Sequence, residues 1–426
     1  MTTATRTVLD GLDGIKEPLA DLYRDLHAHP ELSFAEHRTA AEAARRTASY
    51  GYEVTTGVGR TGVVAVLRNG AGPTVLLRAD MDGLPVREQT GLAYASKATG
   101  TDPEGNEVPV MHACGHDTHV TCLLGTLQLL AQGRAHWSGT VIGVFQPAEE
   151  LGQGAKAMLG DGLYERFGTP DVVLGQHVVP MPAGMAGCHP GPAFSATDSL
   201  RVRLYGRGGH ASRPESTVDP VVMAAATVMR LQTVVSREVA GGDTAVVTVG
   251  SIRAGTKDNI IPDEAEIKVN IRSYTEPVRT RVLAAVKRII RAEAAASGAE
   301  REPDIETIDS FPVLVNDADA VRRTMAAIGA ELGTDRVLDP GPITGSEDVC
   351  LLATAAGAPL CYWLFGGIDA QTYETAQKAG TMDSDVAYNH SPFFAPLAEP
   401  TVITGVKAFT AGALAWLGPA AASAGQ

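Results

Sequence analysis

The feature that most constrains this chain is a change of hydrophobic pattern partway along it. Up to about Gly191, apolar β-rich runs (Val63–Leu67, Val75–Leu77, Val141–Phe145, Val172–Leu174) are separated by loops and by helical stretches such as Arg38–Ser49 and Val120–Ala131. Strands alternating with helices predict an α/β domain with a largely parallel sheet. Near Gly191 the period changes. Ser199–Tyr205 alternates charged and apolar residues, the pattern of a strand with one wet face. A helix follows over about Asp219–Glu238, with Pro220 suited to its first turn. Strands at Ala245–Ile252 and Glu264–Ile271, a helix around Glu276–Ser297 and a strand near Ile305–Thr307 complete the order β-α-β-β-α-β. That order is ferredoxin-like. The first pattern resumes with a helix near Ala318–Leu332 and a strand at Leu360–Phe365. The expected architecture is therefore a discontinuous α/β domain, residues 1–190 and 305–426, with a small domain inserted at residues 191–304. The tail from Gly418 reads as small-residue coil.

Composition removes several function classes. A formal net charge of −14 without any basic stripe lacks the electrostatic footprint of a nucleic-acid binder. No stretch approaches the ~18 unbroken apolar residues of a membrane span. Met1–Leu9 lacks the apolar core of a secretion signal, so a cytoplasmic protein is expected. The five cysteines are odd in number and scattered, which argues against a disulfide framework. Most are expected to be buried apolar fillers. Cys114 differs because of its neighbours.

His112, Cys114, His116, Asp117 and His119 all fall within Met111–His119, where Gly115 permits a tight backbone. A lone core histidine is usually structural, but so dense a set of ligand types is not easily explained that way. Other candidates follow the apolar runs: Asp80 and Asp82 after Val75–Leu77, Glu149 and Glu150 after Val141–Phe145, His177 after Val172–Leu174. Open α/β sheets bind ligands outside the carboxyl ends of their strands, so these residues converge on one edge. Adjacent glutamates rarely both face one ion. One can ligate while the other stays free as a base, the two roles that metal-assisted hydrolysis needs. The chain has no Gly-x-Ser-x-Gly elbow, no phosphate loop ending in Gly-Lys-Ser/Thr and no His-Glu-x-x-His helix. Gly206–His210 lacks the third glycine of a dinucleotide fingerprint.

Further short motifs flank these residues: His27–Leu32, Arg78–Pro85, Phe145–Glu150, Gly209–Ser212, Asn259–Pro262, Gly345–Asp348 and Asn389–Pro392. Together with the Met111–His119 segment they resemble, in order, the motifs of the M20 metallopeptidases. The likeness is to the amidohydrolase branch of aminoacylase-like, hippurate and auxin-conjugate hydrolases. The resemblance implies a zinc-peptidase-like catalytic domain with two divalent metal ions, Mn²⁺ or Zn²⁺. It implies Cys114, His116, Glu150, His177 and His390 as ligands, Glu149 as the base and Asp82 as a supporting acid. His390 enters only through the resemblance. The inserted domain then becomes a lid and dimerisation domain, whose His210 polarises the scissile carbonyl, often across the subunit interface. Asn259 and Ser346 resemble substrate-contacting residues, and Arg272 offers a planar fork for a substrate carboxylate.

The implied function is hydrolysis of the amide bond of an N-acyl amino acid or related conjugate by metal-activated water. The implied assembly is a homodimer. The chain departs from the family pattern at Thr101–Val108, an apparent insertion, and at Leu151 and Val349, which bear on the acyl pocket. Three other readings compete: a dipeptidase or carboxypeptidase on the same centre, a non-catalytic small-molecule binder, and a structural zinc protein. Five ligands with a base do not suit one closed zinc site.

Overall fold

The computed structural model describes residues 3–419. Met1, Thr2 and residues 420–426, which include most of the tail expected to be coil, lie outside the described residues. The chain divides into two compact units. One holds the residues up to Gly191, Val315–Gly341 and those from Asp348 on; the other holds Pro192–Leu314 and Pro342–Glu347.

After a short helix at Thr3–Leu9, the first unit continues with α1 (Lys16–Ala28) and α2 (His37–Ser49), followed by β1 (Glu53–Val58), β2 (Gly62–Asn69) and β3 (Thr74–Asp80). Next come α3 (His116–Gln132), β4 (Trp137–Gln146), β5 (Val172–Pro182) and β6 (Ala186–Gly187). The second unit supplies β7 (Ala196–Tyr205), α4 (Pro220–Glu238), β8 (Ala245–Ala254), β9 (Glu264–Ser273), α5 (Glu276–Ala296) and β10 (Asp304–Phe311). The chain returns to the first unit with α6 (Ala318–Leu332), β11 (Val337–Leu338), β12 (Leu360–Ile368), α7 (Thr401–Trp416) and β13 (Gly418–Pro419).

The first unit's sheet has nine strands in the order β1-β2-β4-β3-β5-β12-β6-β11, with β13 added beside β4. The central run β4-β3-β5-β12 is parallel, as is the short pair β6–β11 at one end. β1 and β2 pair antiparallel, as do β2 with β4 and β6 with β12, so the sheet is mixed rather than largely parallel. The cause at one edge is local: β1 and β2 are joined by Gly59–Thr61 alone, and so short a connection reverses the chain. Helices α3 and α7 pack on the sheet, and Leu123, Leu127, Val406 and Phe409 meet Leu77, Phe145, Trp363 and Phe365 in one core. This cover is why β2, β3, β4 and β12 are continuous apolar runs. Thr101–Val108 lies in a hairpin, Thr99–Thr101 against Glu107–Pro109, with Asp102 accepting the Asn106 N–H at 2.7 Å.

The second unit's sheet has the order β8-β9-β7-β10, antiparallel throughout. Val202, Ile267 and Val269 of the sheet pack with Met223, Leu231, Val282 and Val286 of α4 and α5 in a separate core. Asp219 caps α4, accepting the Val221 N–H at 2.8 Å, and Pro220 occupies the first turn. Because β10 pairs with β7 along its length, this unit runs to Leu314 rather than residue 304, and Pro342–Glu347 joins it. Polar residues such as Glu306 and Asp309 hide the full length of β10, which the sequence shows only near Ile305–Thr307. Among the described residues, no helix is long and apolar enough to cross a membrane.

Candidate metal centre

β3, β4 and β5 are parallel neighbours, so their carboxyl ends open on one edge of the sheet. Asp82 lies just past β3 and the Glu149–Glu150 pair just past β4, while His177 lies on β5 beyond its pairing with β3. The Met111–His119 segment passes from loop into the first turn of α3. Gly115, at the start of that helix, has φ +83°, and a Cβ there would stand 2.4 Å from Val178 Cγ1. Only glycine meets both conditions, and the turn carries Cys114 and His116 to the same edge.

Overlapping sets of donor atoms result, each set mutually within 4.8 Å: Cys114, His116 and His177; Cys114, Glu150 and His390; His116, Glu149 and Glu150. Cys114 Sγ is 3.4 Å from His177 Nε2. His390 Nε2 is 3.4 Å from Glu150 Oε1, which lies 3.9 Å from His116 Nε2. Donors on a tetrahedral ion with arms of ~2.0–2.3 Å stand roughly 3.3–3.8 Å apart, so the spacing suits a cation. His116 Nε2 and Glu150 Oε1 are buried with no hydrogen-bond partner, an uncommon condition that a metal relieves. Sulfur, imidazole and carboxylate donors together fit divalent ions.

The electrostatics agree. Burial, with Glu150 and Glu149 close by, pushes the Cys114 thiol well up, so a thiolate there needs a cation beside it. Burial, with His119 nearby, holds His177 well below the usual imidazole range. Its Nδ1–H donates to Val178 O at 2.8 Å, leaving the Nε2 lone pair toward Cys114.

Of the five groups flagged in Met111–His119, Cys114 and His116 are the two that join these sets. Asp80, His116 and His119 are also mutually close. His119, however, spends both nitrogens elsewhere, Nδ1 on Asp80 Oδ1 at 2.5 Å and Nε2 on the Val178 N–H at 2.8 Å. It stacks on His116 and meets His177 edge-on, bracing both rings. Asp117 receives His27 Nδ1 at 2.7 Å, and His27 Nε2 reaches Glu88 at 3.1 Å. Burial opposes a charge on His27, but the hydrogen bonds to Asp117 and Glu88 outweigh it and raise the imidazole to about 10. This buried ion triplet fastens α1 to the start of α3. Burial holds His112 down at about 4, and its ring nitrogens have no hydrogen-bond partner.

Asp82 holds the glutamate pair. Its Oδ1 accepts the Glu149 N–H at 3.2 Å and its Oδ2 the Glu150 N–H at 3.1 Å, while Oδ1 faces His116 Nδ1 at 3.3 Å. Sequence reasoning missed the support given by Arg78 and Asn389. Arg78 is fully buried, donating to Asp80 at 2.6 Å, Gln146 at 2.9 Å and Asp348 at 3.2 Å. An arginine interrupting an apolar strand just before an aspartate was the available signal. Asn389 Nδ2 donates to Cys114 O at 3.2 Å and Val178 O at 3.1 Å, tying the His390 segment to both. His390 itself is held at φ +71°, a strained position of the kind found at functional sites.

In the second unit, His210 and Asn259 lie together on a two-stranded ribbon, with His210 opposite Ile260 and Asn259 O accepting the Ala211 N–H at 3.1 Å. His210 Nδ1 accepts the Ser212 N–H at 3.1 Å, so its neutral form keeps the hydrogen on Nε2. Arg272 donates to Thr344 O, and Ser346 bonds Thr197 and donates to Ser195 O at 2.9 Å. Those two therefore flank one strap.

Residues 76–410 match peptidase family M20/M25/M40. The chain belongs to this family. It is 35% identical over 384 residues to an N-acetylcysteine deacetylase of Bacillus subtilis (strain 168), covering 89% of this chain and 96% of that protein. It is 39% identical over 298 residues to a hippurate hydrolase of Campylobacter jejuni, covering 70% of this chain and 74% of the relative. The crystal structure of a Bacillus subtilis dinuclear metal-binding peptidase of the M20 family superposes with a TM-score of 0.72 at 28% identity, over 94% of this chain and 98% of that one. The M20 chain described here is thus a metallo-amidohydrolase with the α/β fold of its family, and the two non-enzymatic readings lapse.

Proposed function

We propose that this enzyme hydrolyses the amide bond of N-acyl amino acids or related conjugates at a pair of divalent ions, Mn²⁺ or Zn²⁺. The observation that carries the reading is the convergence of Cys114, His116, Glu150, His177 and His390 beside the buried carboxylate of Glu149. Mixed sulfur, nitrogen and oxygen donors suit either metal. When bound, such ions polarise a carbonyl and acidify a water. Glu149 takes the proton of the attacking water and passes it to the departing amine. Asp82 keeps Glu149 and Glu150 in register. His210, with hydrogen on Nε2, donates to the carbonyl oxygen as charge develops there. Asn259 beside it, Arg272 and Ser346 bind the rest of the substrate, Arg272 through guanidinium donors not used on Thr344.

The second unit is in this reading a lid and a dimerisation domain, its partner a second copy of the chain. β8 is the open edge of its sheet and carries exposed Val246 and Ile252. The adjoining α4 exposes Val222 at 63% and Met229 at 72%. An unpaired edge strand beside an apolar helix face is a surface for self-pairing. A cytoplasmic setting, which keeps the five free buried cysteines reduced, belongs to the same reading.

A panel of hippurate, N-acetyl amino acids and dipeptides, run with metal analysis, tests the substrate class. We expect the N-acyl amino acids to be turned over faster than the dipeptides; dipeptides alone as substrates would make the enzyme a peptidase. The ligand assignment has its own test. Cys114 is expected to resist alkylation in the metal-loaded protein and to react after chelation, read by mass spectrometry of the peptide. Equal labelling in both states would remove Cys114 from the ligands.

A further inference from the structure

The turn that presents Glu149 and Glu150 is gripped at three successive amides. Asp82 accepts those of Glu149 and Glu150. The preceding amide, of Ala148, donates to Glu36 Oε1 at 2.8 Å. Ala148 has φ +46°, a left-handed conformation that a residue with a Cβ keeps only where its surroundings over-determine it. Glu36 is well placed to do so. It is fully buried, its Oε1 also accepts the Phe34 N–H at 2.9 Å, and its Oε2 accepts the hydroxyl of Thr61 at the turn into β2. From the other side, the Gly154 N–H donates to Ala148 O at 3.1 Å.

The geometry points to Glu36 as a positioning residue for Glu149, an inference that rests on Glu149 being the base. Glu36 lies beyond the His27–Leu32 motif and outside every donor set. Its carboxylate satisfies an amide that would otherwise be buried and unpaired, and so keeps the twist at Ala148. That twist sets the direction in which the next side chain, Glu149, leaves the backbone. Asp82 holds the two following amides but not this one. Without Glu36 the turn is free to relax about Ala148, and a base displaced by about 1 Å costs up to ~10²-fold in rate.

The test compares Glu36→Ala, Glu36→Gln, Thr61→Val and Glu149→Gln as metal-loaded enzymes, by metal content, thermal melting, kcat and KM on the fastest N-acyl substrate of the panel. Glu36→Ala is expected to keep its metal and a KM within about twofold, while kcat falls about 10–100-fold. Glu36→Gln still offers an oxygen to Ala148 and is expected to recover kcat to within about threefold. Thr61→Val, which frees the far oxygen of Glu36 with little change of shape, is expected to lower kcat about 3–10-fold at unchanged KM, and it serves if Glu36→Ala does not fold. In the Glu149→Gln background, Glu36→Ala should change the residual rate by less than about twofold, because the base it positions is already gone. A wild-type kcat in Glu36→Ala or in Thr61→Val overturns the inference. So does a loss that Glu36→Gln shares in full, or one that persists undiminished in the Glu149→Gln background. If Glu149→Gln is itself as active as wild type, the base assignment falls and this inference with it. If Glu149→Gln is inactive while Glu36→Ala is normal, only the role of Glu36 falls.

Discussion

Glu149→Gln is expected to carry a full metal complement and lose about 10²–10⁴-fold in kcat. The substitution leaves the site's shape alone. Glutamine is nearly isosteric, the backbone N–H at this position stays bonded to Asp82, and the five proposed ligands are untouched. What disappears is the ability to accept a proton beside the donor cluster, where Glu149 Oε2 lies 4.0 Å from His116 Nε2. Since the proposed substrate contacts, Asn259, Arg272 and Ser346, lie elsewhere, KM is expected to stay within a few-fold, the signature of an interaction made only in the transition state. Steady-state kinetics with metal analysis decide the matter. Turnover within a few-fold of wild type would place the base elsewhere.

His210→Ala is expected to cost about 10²–10³-fold in kcat, the usual loss for one oxyanion donor, with metal content unchanged. Every proposed ligand lies in the first unit and His210 in the second, so metal loss in this variant would break the division between the two roles. The hydrogen on Nε2, set by the Ser212 amide on Nδ1, is the donor at stake. If His210 acts across a dimer interface, mixing His210→Ala with Glu149→Gln restores activity. One active site of the mixed dimer then combines an intact Glu149 with the intact His210 of the other chain. A demonstrated mixed dimer with no restored activity means that His210 serves its own subunit.

Much of the candidate site is legible in the sequence. Parallel strands put their carboxyl ends on one edge, so acidic and histidine residues just past three apolar runs had to gather there. The Glu149–Glu150 pair, Asp82, Cys114, His116 and His177 carry that signal in type and position. His390 does not: it is a lone histidine far along the chain, tied in by Asn389 across a separation of 275 residues from Cys114. His119 shows the limit of residue type. By composition it is as good a ligand as His116, yet Asp80 and Val178 take both its nitrogens.

The fold divides along the same line. Residue type and hydrophobic period alone determined the alternation of buried strands and helices, the inserted βαββαβ block and the chemistry gathered at one sheet edge. They could do so because both record burial and bonding capacity, which are local properties of a segment. Only the tertiary structure decided the antiparallel run of β2 in a mixed sheet, the full length of β10 and the extent of the second unit to Leu314. It also decided that Glu36 bonds the Ala148 amide and which histidine ring nitrogens are taken by protein partners. These depend on which neighbour satisfies each hydrogen-bonding group, and those neighbours come from segments far apart in the chain.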